Sequence, residues 1–81
     1  MNKDYVLYNL IEAKEELDRT IQELQLELEY GDPEFSVAMQ HLYHHLNTAW
    51  NARNATVERT NECSDSDYKA WRKFPTDIDM N

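Results

Sequence analysis

Residues 30–35 read YGDPEF, and this stretch decides the fold. A glycine can take the left-handed conformation that closes a helix, so Gly31 is expected to stop one. Asp32 can cap the next helix, and Pro33 suits its first turn, where a missing N–H leaves no hydrogen bond unmade. Stop, cap and start stand side by side with almost no loop between them. Helices joined so tightly fold back as antiparallel neighbours.

Upstream of the hinge, residues 4–30 contain no glycine or proline and are rich in Glu, Leu, Gln, Lys and Ala. That composition predicts one helix over 4–30. Leu7, Leu10, Leu17, Ile21, Leu24 and Leu28 recur at steps of three, four and seven, with Lys14 in the gap after Leu10. The pattern is a heptad-like seam. Downstream of a turn at 31–32, a second helix is predicted over 33–63. Its central stripe is Phe35, Met39, Leu42, Leu46, Ala49 and Arg53, and Tyr43, Trp50 and Val57 form a flanking stripe. Ser64 with Asp67 reads as a capping box, or Ser66 caps alone, ahead of a short third helix at 66–74. Residues 75–81 are expected to be a flexible tail.

These elements predict an all-α fold. It is a single helical domain over 1–74, an antiparallel two-helix hairpin with a short third C-terminal helix. Folding about residue 32 sets residue i opposite roughly residue 64 − i, so Leu24 meets Met39, Leu17 meets Leu46 and Leu10 meets Arg53. The third helix then reaches the start of the first, where Tyr68, Trp71 and Phe74 could cover Tyr5, Tyr8, Ile11 or Val57. It is too short to cover the turn end.

A chain of 81 residues buries a small core and commonly needs a disulfide, a metal or a partner. Cys63 is the only cysteine, so an internal disulfide is excluded, and the spacing of zinc ligands is absent. Pairing is the remaining remedy. Two copies are expected to join as a homodimeric four-helix bundle along Leu17, Leu24, Leu28, Phe35, Met39, Leu42 and Leu46.

The net charge of −8 is uneven. Residues 1–34 carry ten acids against three bases, whereas 35–63 carry two of each. An acidic chain repels phosphate backbones, so direct nucleic-acid binding is not expected, while a basic protein partner fits. The short apolar run at the N-terminus is neither a leader nor a span, so no membrane role is expected. A lone cysteine with no leader fits the cytoplasm.

HLYHHLNTAW, residues 41–50, places His41 and His45 one turn apart, as two metal ligands would be. Leu42 stands where a metalloprotease helix carries its glutamate, and a further ligand would have to come from the first helix or another copy. Boundary and surface histidines are the more economical reading, so no metal and no cofactor are expected. Protonation would place positive charge opposite an acidic arm, which leaves a pH-sensing role open.

Interaction candidates are Tyr43 and Trp50 as an aromatic pair, Tyr8 and Leu26 off the seam, and Arg53 as a charge within a stripe. The ordinary alternatives are core aromatics, scattered surface apolars and a long stem lying over Trp50. Glycine-rich phosphate loops and nucleophile elbows are absent from the sequence, so catalysis is not expected. The expected role is a small acidic interaction module, an adaptor or regulator. The alternative is an inhibitor that presents carboxylates to a basic enzyme cleft in place of nucleic acid.

Overall fold

The computed structural model describes residues 1–80 and contains four helices. They are α1 (Lys3–Leu26), α2 (Asp32–Asn51), α3 (Val57–Glu62) and α4 (Asp65–Trp71). Asn2 opens α1 by accepting from the Tyr5 N–H through its side chain, at 3.2 Å. The chain reverses through 27–31, and α2 packs antiparallel on α1.

The hairpin forms as expected, but its hinge works differently. α1 ends at Leu26 rather than 30, because one residue cannot bridge two helix axes lying roughly 8–10 Å apart. Gly31 is extended (φ −133°) and caps α2 instead of closing α1. Its N–H donates to Glu34 Oε2 at 2.9 Å, and that bond holds the Glu34 carboxyl below its ordinary pKa. Asp32 is therefore a first-turn residue and not the cap.

The fold-back point moves with the hinge to near residue 28. Asn2 N–H reaches Arg53 O, and Asn9 meets His45, so the pairs Leu24–Met39, Leu17–Leu46 and Leu10–Arg53 give way to a shifted register.

The expected second helix over 33–63 is two helices. Asn51 ends α2, Ala55 N–H bonds back to Ala52 O, and the Thr56 hydroxyl caps α3 by accepting from Arg59 N–H. Asparagine and threonine bond their own backbone well enough to compete with a continuous helix. α3 closes at Cys63 in the left-handed region (φ 42°), and Ser64 caps α4 by accepting from Asp67 N–H. α4 thus covers 65–71 rather than 66–74.

α1 and α2 meet through small and polar residues. Asn9, Ala13 and Thr20 of α1 are buried, as are Ala38 and Ala49 of α2 and Ala52 just past its end. Asn9 donates to Tyr5 O at 3.0 Å, and its Oδ1 lies 3.0 Å from His45 Nδ1, so both ends of a side chain only 2% exposed are satisfied. Thr20 turns its hydroxyl back to Glu16 O at 2.8 Å. Alanine contributes little to such a core, because each buried carbon group is worth about 0.8 kcal/mol.

A C-terminal layer lies on the far side of α2. Trp71, the one large buried apolar residue among the described residues, makes an edge contact with Tyr5 at 6.0 Å. Asn51 donates to the carbonyls of Trp71 and Lys73 at 2.8 and 2.7 Å, and Asn47 donates to Arg72 O at 3.0 Å. Two carboxamides thereby satisfy the carbonyls that the end of α4 leaves free. Tyr68 packs on His44 and Phe74 on Tyr43, while Trp71 makes the expected contact with Tyr5.

Candidate interaction surface

The feature that remains is a broad apolar face with nothing on it. Leu7 is 54% exposed, Leu17 45%, Leu24 53% and Leu28 102%, and Leu10 and Ile21 are similarly open. On α2, Phe35 and Leu46 are exposed, with Met39 and Leu42 half-buried beside them.

Helical geometry explains how a leucine seam stays out of the hairpin contact. At 100° per residue, the seam of α1 lies about 75° around the helix from the line through Asn9, Ala13 and Thr20. On α2 the Phe35–Met39–Leu42–Leu46 stripe is displaced from Ala38, Ala49 and Ala52 by a similar angle in the same sense. Equal rotations on antiparallel helices bring both stripes to one side of the hairpin. The C-terminal layer lies on another side, against Asn47 and Asn51, and leaves this face open.

The other interaction candidates are scattered. Tyr43 packs against Phe74 at 5.1 Å, and Trp50 Nε1 donates to Asp77 Oδ1 at 2.9 Å, so the chain's own C-terminal segment engages both. That bond lowers the Asp77 pKa. Arg53 lies over the Trp50 ring at 3.8 Å and donates to Trp50 O at 2.7 Å. Tyr8 stacks on Tyr5 and remains exposed, and Leu26 is exposed away from the open face. Lys14 pairs with Asp18 at 2.8 Å, whereas Arg19 pairs with Glu16 instead of Glu15.

The histidines separate. His41 is exposed, with Nδ1 3.8 Å from Glu16 Oε1. His45 is committed to Asn9, and His44 is half-buried beneath Tyr68. Burial holds His44 below its ordinary pKa, and His45, Arg72 and His41 add repulsion. Burial also lowers His45, against an opposing pull from Glu12 and Glu16 and with a further push down from His41. Among the described residues, no three or more His, Cys, Asp or Glu side chains gather as a metal site would require. No described helix is long and apolar enough to cross a membrane.

Sequence reasoning assigned the seam residues to self-association and also paired Leu24 with Met39 and Leu17 with Leu46 across the hairpin; the second assignment fails. It missed Asn9, Asn47 and Asn51, which hold the layers together. The signal was their type, since an asparagine within a helix commonly has a specific bond to make. Comparison with protein-family models, with curated proteins and with solved structures finds no match to this chain.

Proposed function

We propose that this chain is a protein-interaction module without chemistry of its own, and that it works as a homodimer. Two hairpins press their open faces together as a four-helix bundle. The acidic outer side of α1 then remains free to meet a basic protein. The observation that carries this reading is the open leucine face of α1 and α2.

Area supports it. A compact chain of 9.7 kDa exposes about 5,100 Å², whereas this one exposes 6292 Å². The excess, on the order of 1,200 Å², exceeds the roughly 800 Å² that each partner contributes to a standard stable interface. Acids on α1 stand away from the open face: Glu12, Glu16 and Glu23 lie towards the opposite side of the helix, so pairing brings few like charges together.

Light scattering over a dilution series tests the reading. The expected result is a mass twice 9.7 kDa that persists to low micromolar concentration. A stable monomer at that concentration overturns it.

A further inference from the structure

On the side of α2 that carries the C-terminal layer, the chain's own last residues are seated as a ligand would be. Phe74 sets its ring edge-on against Tyr43 at 5.1 Å, and three residues later Asp77 Oδ1 accepts from Trp50 Nε1–H at 2.9 Å. Tyr43 and Trp50 stand two turns apart on α2, about 10.5 Å. Three chain steps and two side chains span that distance readily. The aromatic pair is thus one surface with two seats.

The seats differ in chemistry. The first is a groove of about 340 Å³ with Met39, Tyr43, His44 and Arg72 in its walls and no carboxylate in its lining. The second is a hollow of about 340 Å³ lined by Asn51, Arg53, Asn54 and Arg59, and among the described residues Asp77 is the one acid in that lining. Arg59 is already paired with Asp67, whereas Arg53 lies over Trp50 and forms no ion pair among the described residues. In a chain of net charge −8, an unpaired guanidinium beside a seated carboxylate suits the hollow to an anion.

The tail fills both seats incompletely. Phe74 keeps 65% of its surface exposed, and Asp77 takes the Trp50 N–H without closing an ion pair to Arg53. A ligand that fits better can displace such a segment, which acts against it as a tethered competitor.

We propose that this side of α2 is a docking groove for a segment of another protein that carries an aromatic residue and, three residues on, an aspartate or glutamate. Residues 74–77 hold the groove in the isolated chain as a tethered stand-in. The groove is separate from the leucine face, so its use does not depend on the pairing of two copies.

A fluorescein-labelled, end-capped peptide KFPTDI, residues 73–78, is the probe, read by anisotropy against the full chain. Phe74→Ala with Asp77→Asn in the chain unlatches the tail at two exposed side chains. That variant is expected to bind the peptide at least roughly tenfold more tightly than the native chain, because a short tether holds its competitor at a millimolar effective concentration. In the peptide, Asp77→Asn should weaken binding by about tenfold, as loss of a hydrogen bond to a charged group does, and Phe74→Ala by a similar factor. Unspecific attraction to an acidic chain would strengthen with Asp77→Asn, the more positive peptide, and that result overturns the proposal. So does an absence of binding to the unlatched chain at millimolar peptide, or binding that survives both peptide changes. An assembly mass that falls on unlatching would seat the tail of a second copy in the groove, and overturns the assignment to another protein.

Discussion

The hairpin contact and the open face lie a quarter-turn apart on the same two helices, yet they are built from opposite materials. The contact is alanine, threonine and asparagine, packed closely and satisfied by specific bonds. The face is leucine, isoleucine and phenylalanine, left exposed. Small side chains allow two backbones to approach and fix their register, but they remove little apolar area from water. Large ones supply the area and wait for something to cover it. Helix register and exposed apolar area are thus assigned to different sides of the same helices.

The largest effect is expected from breaking the face. Leu17→Glu with Leu24→Glu forces carboxylates into the proposed interface, where burying an ion costs several kcal/mol. Light scattering should then report a monomer at every concentration, and an unchanged dimer would remove the leucine face from the assembly. The next effect comes from the contact. Ala49→Leu overfills a site that is only 6% exposed and should cost about 1–3 kcal/mol in urea denaturation. A neutral result would show that the alanine line does not set the helix spacing.

Asn9→Ala should cost about 1–2 kcal/mol, because it strands His45 Nδ1 in a partly buried site. An unchanged midpoint in urea denaturation would show that the carboxamide bond to His45 contributes nothing to stability.

A smaller effect is expected from pH. Burial holds His44 and His45 below their ordinary value of 6.5, so the fold favours the neutral rings and the unfolded chain takes up protons first. The two histidines leave stability undiminished above about pH 6.5 and lower it as the pH falls below that value. His44→Gln should flatten the decline in a thermal melt series, and an unaltered slope would exclude His44 as its source. Smallest of all, Leu26→Ser, on neither surface, should change stability by less than about 0.5 kcal/mol.

The sequence made the hairpin legible because Gly31, Asp32 and Pro33 punctuate it so densely. It showed less of how the halves meet. A leucine seam is the strongest periodic signal on α1, so the sequence assigns it both to the hairpin pairing and to self-association, while Asn9, Ala13 and Thr20 carry almost no hydrophobic signal. Close packing of small residues depends on shape, and periodicity in hydropathy does not register shape. The break after Asn51 was hidden for a related reason. Apolar residues continue through Ala52, Ala55 and Val57, and only Asn54 and the Thr56 cap mark the interruption.

The carboxamides of Asn47 and Asn51 have a consequence for how the molecule opens. They hold the end of α4 by hydrogen bonds to backbone carbonyls, and on release both partners pass directly into water with no polar group left buried. Trp71, a few ring contacts, the Trp50–Asp77 bond and the Arg59–Asp67 ion pair to α3 are what resist that release. Backbone amides of α4 should therefore exchange with solvent deuterium well before those in the middle of α1 and α2, through a local opening that leaves the hairpin intact.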